Sequence, residues 1–532
     1  MATCGEVLVE MLAAQGIDTV FGIPGVHTVE LYRGLPNSGV THITPRHEQG
    51  AGFMADGYAR ACGRPAACFI ITGPGMTNIA TALGQAYGDS VPILVISSVN
   101  HSYELGLGEG RLHELPSQRG LTAGLTAFSH TLMRPDELPD VLARAFAVFR
   151  SARPRPVHIE LPLDVIVADA DHIARRPFAT AGRPGADAKS IAEAAALLRQ
   201  ARRPLVLLGG GAMDASSEAR LLVERLGAPT VLTINGKGLL PSGHALSLGS
   251  TLPQEPVLEE LAAADVVLAV GTELGETDTL LFGGRPKIGG KLIRIDIDAE
   301  QLSRNARPDV AILSDAAAAL AALTEALAGF TPGEEGAIRA KALRGRLHDL
   351  LDPSQRIHER VFATLQAALP NVIVVGDSTQ AIYSANLFYE PERSRSYFNS
   401  STGYGTLGYA LPAALGAKLA QRDRPVVAVI GDGGLQFTIG ELATAVELAL
   451  PLPIIVWNNR GYGEIKRYMA ERGIPEIGVD IYTPDFLAIA RGFGCAAARA
   501  KSLDELAELL REANRRPGPT VVEIDEADAR SW

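Results

Sequence analysis

The chain has 532 residues, of which 47% are hydrophobic and 20% are charged. This length exceeds the roughly 250 to 300 residues at which one hydrophobic core stops growing, and the composition is not that of a disordered protein, so two to four folded domains are expected. The net charge of -11 argues against nucleic acid or an anionic membrane as the main partner and favours small-molecule ligands.

Three features of the sequence predict a cytoplasmic protein. The first residues, MATCGEVLVEMLAAQG, have apolar positions at helical spacing interrupted by acids, which is not the pattern of a signal peptide. No apolar run reaches the roughly 18 to 20 residues that span a bilayer. The four cysteines are too few for a disulfide framework and show no zinc spacing.

Short β-branched runs alternate with helical patterns through residues 1–170. Such alternation predicts parallel βαβ units and a doubly wound sheet. A polar segment containing proline and glycine, 175–184, then reads as a linker.

A second α/β domain is predicted for residues 187–330. The triplet Gly209 to Gly211 follows one of its strands, but no GxGxxG pattern continues from it, so a nucleotide site there is disfavoured. The acidic run 331–337 predicts a second linker. The alternation of strands and helices returns in residues 350–532, which makes three doubly wound α/β domains in all.

Residues 68–97 and 427–457 share one plan, in which an apolar strand, a Gly-x-Gly turn, a helix and a second apolar strand follow one another. We expect the first and third domains to have one fold, although two generic βα units would also give this pattern. Glycine turns of this kind lie where the carboxyl ends of strands form ligand crevices.

The turn GDGG, Gly431 to Gly434, can hold a phosphate with its backbone N–H groups, because it lies between a strand and a helix. Asn459 ends the next strand, and neighbouring parallel strands end side by side, so Asp432 and Asn459 can converge. Together with a backbone carbonyl, that of Gly461, they would form a hard oxygen site suited to Mg²⁺ on a diphosphate.

This GDG and NN spacing resembles the thiamine-diphosphate binding motif. The whole chain resembles the acetolactate synthase, pyruvate oxidase and benzoylformate decarboxylase superfamily in its domain order. The resemblance implies a pyrimidine-binding domain (1–170), a Rossmann-like central domain (187–330) and a diphosphate and Mg²⁺ domain (350–532). It also implies thiamine diphosphate and Mg²⁺ as cofactors; FAD or ADP in the central domain, which some relatives hold, is not expected here.

The resemblance assigns further residues to the cofactor. Glu48, in PRHEQG, matches the glutamate that protonates the aminopyrimidine ring. Leu407 matches the apolar wedge under the bent cofactor, and Gly405 supplies a carbonyl to the 4'-amino group. The remaining expected contacts lie in three turns: Gly25; Thr379 and Gln380 of GDSTQ, unless Asp377 or Ser378 merely caps the next helix; and Gly431, Gly433, Gly434, Gly461 and Tyr462.

In this family the acid and the diphosphate clamp that serve one cofactor come from different chains, so at least a homodimer is expected, and often a homotetramer. The expected reaction is non-oxidative decarboxylation of a 2-oxo acid, because the thiazolium is an electron sink that no side chain can replace. A carboligase of the acetolactate synthase type and a non-catalytic cofactor-binding regulator remain as alternatives.

The segments FGIPGVHTVELYRGL and LHELP look most like the 2-ketoarginine (5-guanidino-2-oxopentanoate) decarboxylases, an arginine-catabolic group that forms 4-guanidinobutanal. Glu464 is the leading candidate to bind the guanidinium of such a substrate, because a desolvated carboxylate pairs with it in a bidentate manner. Four more acids are candidates for the same pocket: Glu109, Glu114, Glu276 and Asp278. His27 and His113 are candidate proton relays after CO2 leaves, although a lone histidine is more often structural.

Overall fold

A computed structural model describes residues 1–532 and contains three parallel β-sheets of six, five and six strands. Helices alternate with the strands throughout the chain. The prediction of an α/β protein with three doubly wound sheets is therefore confirmed. No helix is both long enough and apolar enough to cross a membrane.

The first sheet is formed by six strands: β1 (Thr19–Gly22), β2 (Thr41–Ile43), β3 (Ala66–Ile70), β4 (Ile93–Val99), β5 (Phe128–Thr131) and β6 (Val157–Pro162). Its helices are α1 (Cys4–Ala14), α2 (Val29–Arg33), α3 (Glu48–Cys62), α4 (Pro74–Gly88), α5 (Gln118–Thr122), α6 (Leu138–Ser151) and α7 (Leu163–Ile166). The strands lie in the order β2-β1-β3-β4-β6-β5.

The second sheet is formed by five strands: β7 (Pro204–Leu208), β8 (Thr230–Leu232), β9 (Val266–Val270), β10 (Lys291–Asp296) and β11 (Val310–Leu313). Its helices are α8 (Ala188–Gln200), α9 (Ser216–Leu226), α10 (Glu255–Ala263), α11 (Glu276–Thr279), α12 (Ala316–Ala326) and α13 (Glu335–Asp349). The strand order is β11-β10-β9-β7-β8.

The prediction of a linker over 331–337 needs a correction, because helix α13 begins within that segment, at Glu335. Its Ala340 and Leu343 are buried in one cluster with side chains of β7 and β9. Burial of this apolar face stabilises the helix on the second sheet. The connection between the second and third sheets therefore contains a packed helix.

The third sheet is formed by six strands: β12 (Ile373–Gly376), β13 (Tyr397–Asn399), β14 (Val426–Gly431), β15 (Leu452–Asn458), β16 (Ala496–Arg499) and β17 (Pro519–Asp525). Its helices are α14 (Pro353–Ala368), α15 (Gln380–Phe388), α16 (Ala410–Ala420), α17 (Asp432–Thr438), α18 (Glu441–Glu447), α19 (Gly463–Glu471), α20 (Phe486–Gly492), α21 (Leu503–Arg515) and α22 (Glu526–Ala529).

The strand order of the third sheet, β13-β12-β14-β15-β17-β16, repeats that of the first sheet strand for strand. The shared plan of 68–97 and 427–457 therefore reflects one topology used twice. In both sheets the glycine turn follows the third strand in chain order, β3 or β14, which is central. Both turns thus lie at the carboxyl edge, where parallel sheets bind ligands.

Helices α3 and α16 join the first and third domains through a close backbone contact. A Cβ atom on Gly57 would lie 2.0 Å from the carbonyl oxygen of Ala413, and one on Gly416 would lie 1.9 Å from that of Met54. Only glycine leaves room for this crossing. The largest core cluster, 45 buried residues, includes side chains of both sheets around these helices.

We expect Gly57→Ala to destabilise the protein by about 1–3 kcal/mol, because the added methyl group overlaps a backbone oxygen that cannot turn away. Differential scanning calorimetry should show a melting temperature lower by several degrees. Gly345→Ala is the matched control, since that helical glycine of α13 has no atom within 4 Å of an added Cβ. If both variants melt like the parent chain, the proposed role of the crossing is wrong.

Candidate active site

Three oxygen atoms meet where β14 and β15 end. Strand β14 leads into Asp432, the first residue of α17, and β15 leads into Asn459. The Oδ1 atom of Asn459 lies 3.1 Å from Asp432 Oδ1 and 2.8 Å from the carbonyl oxygen of Gly461. Gly461 has φ +152°, a backbone conformation that favours glycine. The predicted convergence of these three residues is present.

The orientation of the Asn459 amide follows from its other neighbour. Its NH2 group donates to Gln380 Oε1 (2.9 Å), and the Gln380 NH2 group in turn faces Glu464 Oε2 (3.4 Å). Turning the Asn459 amide over would pair its NH2 with Asp432 and Gly461 but would set two oxygens against each other at Gln380. This relay of hydrogen bonds, from Asn459 through Gln380 to Glu464, therefore leaves the Asn459 oxygen directed at Asp432 and the Gly461 carbonyl.

Three acceptors without a hydrogen between them repel one another unless a cation lies among them. Asp432 is only 1% exposed, and burial raises the pKa of its carboxyl group. The raised pKa reflects the free-energy cost of keeping a negative charge there without a cation. Its other oxygen accepts a long hydrogen bond from the Thr483 hydroxyl, at 3.4 Å. One carboxylate with two neutral oxygens is a donor set that fits Mg²⁺ sharing its charge with a phosphate.

The GDGG turn is glycine-rich because side chains press against it. A Cβ on Gly431 would lie 2.9 Å from Thr379 Oγ1, and one on Gly433 would lie 2.7 Å from the Tyr462 ring. Thr379 and Tyr462, both expected cofactor contacts, thus flank the turn at the start of α17. Their position leaves backbone N–H groups and hydroxyls around the oxygen cluster, which suits a diphosphate.

The segment between β13 and α16 carries the expected wedge. Leu407 is half-buried, and Gly405 is exposed with φ +78°. No N–H or O–H group of the chain donates to the Gly405 carbonyl oxygen. That oxygen is therefore free to accept a hydrogen bond from a ligand amino group, and the apolar side chain of Leu407 stands beside it.

Glu48 begins α3, where a negative charge is favourable at the helix N-terminus. Its Oε2 atom accepts a hydrogen bond from the Asn78 side chain of α4 (2.9 Å). A Cβ atom added to Gly75, which lies with Asn78 in the first turns of α4, would be 3.4 Å from Glu48 Oε1. Gly25 packs on Ile71, in the segment that leads into α4. Glu48 is thus a half-buried carboxyl group oriented by an amide, with the Gly25 turn close by.

The two candidate histidines lie together, although they are 86 positions apart in the sequence. The rings of His27 and His113 have centroids 5.2 Å apart, and the Nδ1 atom of each is buried without a partner. Burial, and then the neighbouring His113, lowers the pKa of His27. The His113 carbonyl oxygen packs against Gly73, so this pair lies above the glycine turn that follows β3.

The candidate acids are not gathered in one pocket. Glu109 pairs with Arg111 (2.9 Å), and Glu114 accepts backbone N–H groups of Gly108 and Arg111, both 2.9 Å away. These two acids are thus engaged within their own exposed loop. Glu464 lies next to the relay from Asn459, but its second oxygen pairs with Arg467.

Glu276 and Asp278 lie in the second domain, on α11. Asp278 lines a cleft of about 290 Å³ at the carboxyl ends of β7, β9 and β10, which contains neither Glu48 nor Asp432. Gly210 and Gly211 line this cleft, and Cβ atoms added to Gly209 and Gly211 would lie 2.2 and 2.8 Å from atoms of Gly271. These two glycines of the triplet are therefore explained by the packing of two loops.

Sequence reasoning missed two residues that organise the site, Asn78 and Glu441. Asn78 orients Glu48, and the buried Glu441 accepts the backbone N–H groups of Arg46 and His47 (3.0 and 3.1 Å), which immediately precede Glu48. Asp377 does not cap the next helix as considered, since the N-cap of α15 is Thr379 and it makes no side-chain bond. A buried acid on an apolar helix face was the one available signal for Glu441.

Three family models match the chain along its length. Residues 2–121 match the N-terminal TPP binding domain of the thiamine pyrophosphate enzymes, residues 191–323 their central domain, and residues 376–524 their C-terminal TPP binding domain.

Curated relatives match almost the entire chain. A probable 2-ketoarginine decarboxylase of Pseudomonas aeruginosa is 47% identical over 540 residues, covering 99% of this chain and 95% of that protein. The large subunit of acetolactate synthase isozyme 1 of Escherichia coli is 33% identical over 549 residues, covering 98% and 93%. The chain belongs to the thiamine pyrophosphate enzyme family, and thiamine diphosphate is its cofactor.

Proposed function

We propose that the chain catalyses the non-oxidative decarboxylation of 5-guanidino-2-oxopentanoate (2-ketoarginine) to 4-guanidinobutanal and CO2, with thiamine diphosphate and Mg²⁺. The oxygen cluster of Asp432, Asn459 and Gly461 is the observation that supports this proposal most, because its unbalanced charge calls for a cation. The substrate rests on the P. aeruginosa relative, whose identity of 47% extends over 99% of the chain.

The two ends of the cofactor would be held by different chemistry. Asp432, Asn459 and Gly461 would hold Mg²⁺, and the GDGG turn with Thr379 and Tyr462 would hold the diphosphate. The bound cofactor supplies the electron sink for the bond pair left behind by CO2. Glu48, oriented by Asn78, would hold a proton at the aminopyrimidine ring, and Gly405 and Leu407 would also contact the cofactor.

The histidine pair supports a role in the later proton transfer. With its pKa lowered by burial and by His113, His27 is neutral at pH 7 and has an Nδ1 atom without a partner. A neutral imidazole can carry a proton in either direction. We propose that His27 and His113 return the proton that replaces CO2 on the product carbon.

We propose a homodimer at least, in which the two ends of each cofactor belong to different chains. Large apolar side chains are exposed beside both halves of the site: Val26, Leu107 and Leu112 near the histidines, and Phe437, Ile465 and Tyr482 near the oxygen cluster. Apolar side chains exposed on both sides of a site are typical of a protein interface. A second copy of the chain would cover both groups at once.

Product analysis tests the reaction. With 2-ketoarginine we expect CO2 and 4-guanidinobutanal, and a kcat/KM about 10 to 100-fold higher than for the uncharged 2-oxohexanoate, since one charge-assisted hydrogen bond contributes about 1.5–3 kcal/mol. Protein without thiamine diphosphate is the control. Acetolactate as the main product from pyruvate would instead support a carboligase, which the E. coli relative's name suggests, and CO2 from no 2-oxo acid would contradict both.

We expect Glu464→Gln to raise KM for 2-ketoarginine about 10-fold or more while leaving KM for 2-oxohexanoate nearly unchanged, because it removes ground-state binding of the cation. The Arg467 pair that Glu464 makes in the free chain is exposed, so exchanging it for a substrate guanidinium costs little. Glu471→Gln is the matched control, since Glu471 pairs with the same Arg467 (2.9 Å) one turn farther along α19. Equal effects on both substrates would exclude Glu464 from recognition.

A further inference from the structure

Asp377 is a buried carboxylate without a cationic partner in the turn after β12. Its backbone N–H continues the sheet by donating to Val429 (2.9 Å), which fixes the residue in place. Its Oδ1 atom accepts N–H groups of Ser378 (2.9 Å) and Gly408 (3.2 Å), and its Oδ2 atom accepts that of Ala410 (3.1 Å). Two of these three donors belong to the segment that immediately follows Leu407.

The residue before Leu407 is held as firmly as those after it. The Thr406 carbonyl oxygen accepts hydroxyl groups of Ser400 (2.6 Å) and Ser378 (3.1 Å). The Gly408 carbonyl oxygen accepts the hydroxyl of Thr438 (2.7 Å). Leu407 itself makes no such bond, so its position is set by its neighbours.

This segment needs such support because its own backbone is permissive. Gly403, Gly405 and Gly408 all have positive φ, at +64°, +78° and +81°. Glycines in this region lose much conformational freedom on ordering, and no strand or helix holds the chain between β13 and α16. Bonds from a rigid neighbour are therefore what can fix the side chain of Leu407 in one place.

A carboxylate holds the backbone N–H groups of Gly408 and Ala410 better than an amide would. Both Asp377 oxygens accept from backbone N–H groups, whereas the NH2 of an asparagine would face the Ala410 N–H donor to donor. Burial without a cation is costly and raises the pKa of Asp377 to about 6. Asp377 also contacts the GDGG turn, since a Cβ atom added to Gly434 would lie 3.1 Å from Asp377 Oδ1.

We propose that Asp377 is a positioning residue that fixes the wedge Leu407 against the cofactor by holding the N–H groups of Gly408 and Ala410. This inference rests on the proposed function, in which Leu407 supports the bent cofactor. It gives Asp377 an effect on the geometry of the bound cofactor rather than on its affinity.

The test is Asp377→Asn, with the exchange rate of the C2 proton of bound thiamine diphosphate followed by NMR in D2O. We expect kcat and C2 exchange to fall about 10 to 100-fold together, because small misplacements at a reacting centre have effects of that size. The Kd for thiamine diphosphate with Mg²⁺ should change less than about 3-fold. Unchanged exchange, or a Kd that rises as much as kcat falls, overturns the inference.

A double-mutant cycle separates this inference from the proposed function. Leu407→Ala alone should slow C2 exchange, and adding Asp377→Asn should slow it no further, since Asp377 acts only through Leu407. If Leu407→Ala has no effect, the wedge itself is wrong. If it has an effect but the two changes add independently, only the role of Asp377 is wrong.

Two further variants keep the result interpretable. Asp265→Asn is the matched control, because Asp265 also accepts two backbone N–H groups (2.7 and 2.9 Å) but lies in the second domain, and it should leave C2 exchange unchanged. If Asp377→Asn does not fold, Ser400→Ala removes the shortest bond to Thr406 and should slow C2 exchange in the same direction. Normal exchange in Ser400→Ala would then overturn the inference.

Discussion

Unbalanced negative charge at the ends of β14 and β15 determines what the site can bind. The amide oxygen of Asn459 lies within about 3 Å of both a buried carboxylate oxygen and a carbonyl oxygen, and its NH2 group, bonded to Gln380, holds the amide in that orientation. A divalent cation would remove the repulsion, and a diphosphate on that cation would accept hydrogen bonds from the N–H groups of the GDGG turn. The parallel order of β14 and β15 brings these groups together from positions 27 residues apart.

The same topology performs two different tasks in the first and third domains. In the third domain the turn after the central strand begins with Asp432 and faces oxygens. In the first domain the equivalent turn, at Gly73, faces His113 and leads to Asn78, the partner of Glu48. Under the proposed function, one sheet would bind the metal ion and the diphosphate, and the other would carry the proton at the aminopyrimidine ring.

The sequence predicted what depends on local spacing and strand order. Asp432 and Asn459 follow adjacent parallel strands, so their meeting could be expected from the motif, and the shared sheet order from the repeated strand and glycine pattern. The bonds from Asn78 to Glu48, from Glu441 to the residues before Glu48, and from Asp377 to Gly408 and Ala410 join segments that are distant in sequence. The periodicity of apolar residues within a helix or strand gives no information about contacts between such distant segments. The ion pair of Glu109 with Arg111 is local in sequence. It could not be predicted, because a basic residue two positions away does not show whether it pairs with the acid or leaves it free to bind a substrate.

We propose that Glu48 of one chain and Asp432 of another bind the two ends of one cofactor. The test is co-expression of Glu48→Gln and Asp432→Asn chains with different affinity tags, followed by assay of the doubly tagged dimers. Each variant alone should be inactive. In the mixed dimer one site carries both changes and the other carries neither, so we predict about half of the parent activity. Mixed dimers without activity, formed from chains that fold and assemble, would show that each site is built within one chain and would contradict the claim.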